Sequence, residues 1–118
     1  MLTTHPTSVG AARRFVRDVL SSRQVSDGVI DIVELLTSEV VTNAIVHGQS
    51  GPKLAVTVVG DVVRVAVHDL SPEVPVRRPR RFDEESGRGV LIVAELASSW
   101  GVEHESDGSK RVWFEVAC

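Results

Sequence analysis

Apolar residues in the first part of the chain recur with the spacing of amphipathic helices. The first series predicts a helix that begins near Thr7 or Ser8 and runs to about Ser21; its apolar positions are Val9, Ala12, Val16, Val19 and Leu20. The arginines of this segment fall on the side away from that face: Arg13, Arg14 and Arg17. After a polar stretch, Ser26 is a typical N-cap for a second helix, which the pattern extends to His47 with Gly48 just past its end.

From residue 53 onward the apolar spacing changes to the alternation that is typical of strands. One hairpin is predicted around Gly60-Asp61, with the alternating positions Leu54, Val56, Val58, Val63, Val65 and Val67. A third helix opens at Gly87-Arg88-Gly89, and two closing strands, Trp100 to Glu105 and Arg111 to Val116, flank the turn Asp107-Gly108-Ser109. This order predicts an α+β fold: a two-layer sandwich in which three helices cover one face of a mainly antiparallel, mixed sheet of four to five strands.

Composition restricts the class of protein. A length of 118 residues predicts one domain, 1–118, and 42% apolar with 25% charged residues is typical of a globular protein. The net charge of −3 gives no attraction toward nucleic acid or anionic membrane. No secretory signal or membrane-spanning run is evident, and the single cysteine, Cys118, permits no internal disulfide. We therefore expect a cytoplasmic protein with no direct nucleic-acid or membrane partner.

Two polar features interrupt the apolar pattern. Glu39 and Asn43 lie four residues apart on the second helix, so they share a face, and His47 follows one turn later. They are either the solvated flank of an amphipathic helix or a metal ligand and a proton acceptor at the rim of a pocket. Asp69 continues the apolar alternation of its strand, where a carboxylate needs a partner; otherwise it caps the following turn.

The segment from residue 70 to 86 contains three prolines and the basic run Arg77-Arg78-Pro79-Arg80-Arg81. A long irregular segment in a compact domain is usually functional or mobile, and its arginines are either solvated or available to phosphates or an acidic partner. Directly after it, Gly87 and Gly89 expose backbone N–H groups at a helix N-terminus, which favours an anion.

In this order and spacing, the motifs resemble the ATP-binding domain of the Bergerat-fold ATPases, which include gyrase, heat-shock chaperones, histidine kinases and MutL-type proteins. The segment from Glu39 to Gly48 is similar to the N box, Asp69 begins the first glycine-box region, and Gly87-Arg88-Gly89 is similar to the second. The closest resemblance, from about Ser8 onward, is to anti-sigma-factor serine kinases and related bacterial regulators.

The resemblance implies ATP and Mg²⁺ as cofactors and assigns a role to each motif. Asn43 would be the side-chain ligand of Mg²⁺, Asp69 would accept a hydrogen bond from the adenine amino group, and residues 70–86 would form a lid. Glu39 would orient or deprotonate the nucleophile. The remaining nucleotide-binding candidates lie at the end of the N box, in the lid and in the second glycine box: His47, Arg80, Arg81, Gly87, Arg88, Gly89 and Val90.

The implied activity is that of an ATP- and Mg²⁺-dependent serine/threonine kinase. It would transfer the γ-phosphate to a serine of an anti-sigma antagonist and regulate transcription through protein partners, a sigma factor or that antagonist, with a homodimer left open. This chain has Asp69-Leu-Ser71-Pro-Glu73 where the family commonly has Asp-x-Gly-x-Gly, and Lys110 and Arg111 stand where a threonine is often found. Two alternatives therefore remain: a nucleotide-gated partner-binding module without phosphotransfer, and a plain interaction domain in which Glu39 and Asn43 face solvent.

Overall fold

The computed structural model describes residues 7–47, 52–69 and 96–118. Its elements are α1 (Thr7–Ser22), α2 (Asp27–His47), β1 (Lys53–Val59), β2 (Val62–Asp69), β3 (Ser99–His104) and β4 (Lys110–Ala117). The predicted α+β class, the first two helices and both hairpins are confirmed. The third predicted helix lies almost entirely outside the described residues. Neither α1 nor α2 combines the length and the apolar content that crossing a membrane requires.

The junction between the two helices is formed by local hydrogen bonds. The backbone N–H groups of Arg23 and Val25 donate to the carbonyl of Leu20, each at 3.1 Å, and Gln24 takes a left-handed conformation with φ of 62°. The N–H of Val29 then donates to Ser26 Oγ at 3.4 Å. Ser26 is therefore the N-cap of α2, as the sequence predicts.

The two helices pack through their apolar faces and are joined at one edge by charged side chains. Arg17 donates to Glu34 and, at 2.8 Å, to Asp31 Oδ1. The hydrogen bond to Glu34, followed by that to Asp31, raises the pKa of Arg17 above its usual value. Arg17 thus lies at the edge of the apolar face of α1, where acidic residues of α2 are within its reach.

The four described strands form one antiparallel sheet in the order β1-β2-β4-β3. The predicted turn at Gly60-Asp61 is confirmed, with Val59 paired to Val62 across it and Gly60 at φ of 57°, a conformation that favours glycine. β4 is last in the sequence but lies in the interior of the sheet, between β2 and β3. The described strands contain no parallel pair, so the mixed character that we expected is not seen among them.

One face of the sheet is covered by α1 and α2, because alternate residues of β2 and β4 are apolar and pack against the helices. The buried positions of this core come from both layers; those on the strands are Val63, Val65, Val67, Phe114 and Val116, and those on the helices are Ala12, Val16, Leu20, Ile30, Val33, Leu36, Val40, Val41 and Ala44. Burial of this apolar surface is the main force that holds the helices on the sheet. Val112, assigned by the sequence to the same face, packs against this core and is partly buried.

The other face of the sheet carries an aromatic contact. Trp113 is half-buried there, with the guanidinium of Arg64 centred 4.4 Å from its ring. Gly101 pairs with Trp113 from β3, and a Cβ at Gly101 would lie 2.9 Å from Trp113 Cζ2. Glycine thus allows the indole ring to lie flat across the neighbouring strand.

The boundaries of the second hairpin differ from the prediction. β3 begins at Ser99 instead of Trp100, and β4 begins at Lys110 instead of Arg111. The difference at Lys110 arises because β4 pairs with β2 as far as the last residue of that strand, Asp69. The predicted strand left out this charged residue, whereas the observed ladder includes it.

Candidate functional site

The candidate site lies at one end of the sandwich, where several elements begin or end. β2 ends at Asp69, β4 begins at Lys110 opposite it, and β1 begins at Lys53 opposite His68. Only residues 48–52 separate His47 from Lys53, and such a connection spans at most about 20 Å. His47 therefore lies within about 20 Å of Lys53, whose strand begins opposite the end of β2.

Asn43 is buried on α2, with 8% of its surface exposed. Its Oδ1 atom is fully enclosed and has no hydrogen-bond partner among the described residues. A buried carboxamide oxygen without a partner costs free energy, so it calls for a ligand or a group beyond those residues. The interpretation of Asn43 as part of a solvated helix flank is wrong, because the side chain is enclosed.

Glu39 lies one helical turn before Asn43, about 6 Å along the axis. Its side chain is half-buried, so it is neither a core residue nor fully solvated. His47 is the last residue of α2, and Asp69 is the last residue of β2. The structure describes the backbone of these two residues but not their side chains.

The other predicted contacts of the nucleotide fall on residues that the structure does not describe. They comprise the lid, residues 70–86, and the arginines and second glycine box: Arg80, Arg81, Gly87, Arg88, Gly89 and Val90. Their roles stay predictions. Among the described residues, Glu39 and Asn43 lie on α2, and Asp69 is the last residue of β2.

The structure shows buried residues and side-chain contacts around the start of β4 that the sequence did not predict. Lys110 is 2% exposed and Ser109 is 1% exposed. Ser109 Oγ lies 3.0 Å from His68 Nε2 and donates a hydrogen bond to Asp107 Oδ1 at 2.6 Å. Because that hydroxyl proton goes to Asp107, His68 Nε2 is the donor in the contact with Ser109.

This network ties the turn between β3 and β4 to the end of β2. The backbone N–H of Ser109 also donates to Asp107 Oδ1 at 3.0 Å, and the N–H of Glu105 donates to the carbonyl of Ser109 at 2.9 Å. The two hydrogen bonds from Ser109 hold the pKa of Asp107 below its usual value, the side-chain bond having the larger effect. The sequence did contain a signal for Lys110, since positions 110, 112, 114 and 116 alternate onto one face.

Comparison with protein-family models provides the deciding observation. The model of the histidine kinase-like ATPase domain matches residues 2–115, and thus nearly the whole chain. The chain belongs to the histidine kinase-like ATPase domain family. The match covers α2, the end of β2 and residues 70–95, which the structure does not describe. A comparison with curated proteins gave no match.

Proposed function

We propose that this histidine kinase-like ATPase domain binds ATP with Mg²⁺ and acts as a regulatory protein serine/threonine kinase of the anti-sigma type. Its substrate would be a serine of an anti-sigma antagonist, and its regulatory effect on transcription would come from binding that antagonist or a sigma factor. Family membership supports ATP binding, and the resemblance of residues 39–48 and 87–91 to the anti-sigma kinases supports the finer assignment.

The observation that carries the proposal is the enclosed Oδ1 of Asn43 on α2, which has no hydrogen-bond partner among the described residues. A neutral amide oxygen suits Mg²⁺, which keeps several waters and takes most of its other ligands from phosphates. Bound there, Mg²⁺ would neutralise charge on the phosphates of the nucleotide. Asn43 fits this group, since a hard cation satisfies the oxygen that the described residues leave without a partner.

Glu39 is the candidate base because it precedes Asn43 by one turn on the same helix face. In the proposed transfer, the substrate serine oxygen forms a bond to the γ-phosphorus as the bond between that phosphorus and the bridging oxygen of ADP breaks. The serine proton passes to the Glu39 carboxylate, and ADP leaves with the bridging oxygen. Asp69 would hold the adenine amino group, and Arg80, Arg81 or Arg88 would meet the phosphates.

ATP binding is tested by thermal unfolding with and without Mg-ATP. A ligand at about a hundredfold its dissociation constant stabilises the folded state by about 2.7 kcal/mol. We expect Asn43→Ala to lose the magnesium-dependent part of the shift and Asp69→Asn to lose most of the shift. Asp18→Asn, an exposed acid-to-amide change on α1, is the matched control and should behave as wild type. A wild-type protein that gains no stability from Mg-ATP would refute ATP binding.

Phosphotransfer is tested with ATP labelled at the γ-phosphate and a purified anti-sigma antagonist protein as acceptor. Replacing Glu39 by glutamine should lower the transfer rate by about 10²–10⁴-fold, the usual effect of losing a general base. The nucleotide-induced thermal shift of this variant should stay close to that of wild type. Transfer by Glu39→Gln at the wild-type rate would remove Glu39 from the mechanism.

A second function is favoured by the sequence after Asp69. Serine and glutamate stand at positions 71 and 73, where related domains commonly have glycines, and Pro72 between them restricts the backbone. A nucleotide-gated binding module would bind ATP and ADP and sequester its partner without forming phosphoserine. Mass spectrometry of the antagonist after long incubation separates the two, since stoichiometric phosphoserine contradicts the binding module.

A further inference from the structure

Lys110 is a lysine enclosed within the sandwich. Its surface is 2% exposed, although lysine is almost never fully buried unless it is paired. It occupies the first position of β4, and its alternation partners along the strand are Val112, Phe114 and Val116, which belong to or pack against the core under the helices. A positive charge at such a position needs a compensating group nearby.

The ladder places a specific residue opposite Lys110. Its register partner on β2 is Asp69, the last residue of that strand, and its partner on β3 is His104. Residues directly opposite each other in an antiparallel pair have Cβ atoms about 5 Å apart, within reach of an aspartate and a lysine. An acidic and a basic residue therefore occupy opposite register positions, 69 and 110, at this end of the sheet.

The surrounding hydrogen bonds hold this pair of positions in place from both strands. His68 precedes Asp69, Ser109 precedes Lys110, and the contact of 3.0 Å between His68 Nε2 and Ser109 Oγ joins the two strands just before the pair. Ser109 is itself anchored to Asp107 by two hydrogen bonds. Lys110 thus extends from backbone that the network restrains.

We propose that Lys110 is a positioning residue that keeps Asp69 ionised as the hydrogen-bond acceptor for the nucleotide base. The proposal rests on the proposed ATP-binding function. A carboxylate at a core-facing position tends to take up a proton, and a protonated carboxyl offers the adenine amino group a weaker acceptor. An opposite charge across the ladder favours the ionised form, so wild-type binding stays independent of pH over the neutral range.

Other titratable groups lie on the neighbouring elements. His104, the last residue of β3, pairs with Lys110 in the ladder, and Glu39 lies on α2. On the opposite face of the sheet, Arg111 forms ion pairs with Glu103 at 3.5 Å and Glu105 at 3.4 Å. Every variant in the experiment also carries His104→Gln, so that any pH dependence of binding arises from another group.

The test measures the dissociation constant of Mg-ATP from pH 6 to pH 8.5 for Lys110→Met, Lys110→Arg and Lys53→Met. We expect Lys110→Met to bind about tenfold more weakly at pH 6 than at pH 8, because Asp69 without the opposite charge would take up a proton within that range. Lys110→Arg should restore the flat profile. Lys53→Met removes an exposed lysine at the same end of the sheet and should also give a flat profile.

A flat profile for Lys110→Met would overturn the inference, even if its affinity or melting temperature were lower at every pH, since that would indicate a structural role only. If Lys110→Met does not fold, carbon NMR of the Asp69 carboxyl in the wild-type fold decides instead. The inference requires that this carboxyl stay ionised down to about pH 5, and protonation above pH 6 would refute it. Failure of wild type to bind Mg-ATP at all would refute the proposed function separately.

Discussion

Two side-chain oxygens on α2 are enclosed without a hydrogen-bond partner among the described residues, Thr37 Oγ1 and Asn43 Oδ1. They differ in position. Thr37 lies on the stripe that packs against the core, with no exposed surface, whereas Asn43 lies near the end of the helix that borders the candidate site. We attribute the enclosure of Thr37 Oγ1 to local packing and that of Asn43 Oδ1 to a ligand. Removing the Thr37 hydroxyl should therefore leave the Mg-ATP thermal shift unaltered, whereas Asn43→Ala should lose its magnesium-dependent part.

Replacing Thr37 by valine removes the unpartnered hydroxyl and keeps the shape of the side chain. We expect the free energy of unfolding to rise by up to about 1 kcal/mol, because a buried hydroxyl without a hydrogen bond is costly. Chemical denaturation measures the change, and the Mg-ATP thermal shift should be unaltered. A loss of more than about 1 kcal/mol would mean that the hydroxyl has a stabilising partner.

Asp107 and Ser109 predict a pH dependence of stability. The pKa of Asp107 is lowered in the folded state, so its ionised form contributes stability above the unfolded value of 3.8. That contribution is lost as the pH falls through the lower, folded-state pKa. Ser109→Ala removes the main cause, so it should lower the stability of the protein more at pH 6 than at pH 2.5.

Urea denaturation of both proteins at the two pH values checks this prediction. The control is the same comparison in an Asp107→Asn background, where the Ser109→Ala effect should not depend on pH over this range. An effect of Ser109→Ala in the wild-type background that is equal at pH 6 and pH 2.5 would contradict the role of the hydrogen bond.

At the level of elements, β3 and β4 are fitted together through Gly101 and Trp113. Because a Cβ on residue 101 would approach Trp113 Cζ2 to 2.9 Å, we expect Gly101→Ala to destabilise the protein by about 1–3 kcal/mol, as overpacking usually does. The displaced ring would also separate from Arg64. Thermal unfolding measures the loss, and tryptophan fluorescence reports the altered ring environment.

Gly28→Ala is a suitable comparison, since a Cβ there meets no atom within 4 Å. It lies in the first turn of α2, where alanine is a better helix former than glycine. We expect no loss of stability from this change. Equal losses from the two substitutions would show that the contact with Trp113 is not the cause.

The elements themselves were predictable because their signals are local. The helical spacing of α1, the cap at Ser26 and the glycine turn at residue 60 each depend on a few neighbouring residues. The pairing of β4 with β2 depends on residues about 50 positions apart, and no local signal encodes it. This is why the predicted strand did not include Lys110, since its place in the ladder is determined by β2.

The candidate site was predictable to the extent that its chemistry departs from the surrounding pattern. Glu39, Asn43 and Asp69 were found as polar residues among apolar ones. Spacing alone could not decide whether Asn43 is enclosed, because enclosure depends on what packs over the helix. The hydrogen bonds among His68, Ser109 and Asp107 were not predicted either, since they join residues from two strands and a turn.

At the level of the whole molecule, the stability of the sandwich depends on the contact between its layers. Phe114 has no exposed surface and lies on the interior strand β4, whereas Phe15 on α1 is 47% exposed. We expect Phe114→Ala to cost about 3–5 kcal/mol, and the control Phe15→Ala to cost about 1 kcal/mol or less. Domains are usually stable by only about 5–15 kcal/mol, so the first change threatens the fold.

Denaturation of the two variants in urea gives both values. Circular dichroism should show that Phe15→Ala retains a cooperative transition. Similar costs for the two phenylalanines would contradict the location of the core between the helices and the sheet.

The interior position of β4 has a consequence for synthesis of the protein. A ribosome makes α1, α2, β1 and β2 well before β4, so the growing chain carries a β2 edge that waits for its neighbour. That edge can pair with other chains until residues 110–117 emerge, and only then can β3 join the sheet through β4. Folding of this domain on the ribosome is therefore completed late, and a nascent chain stalled before residue 110 should be a substrate for chaperones.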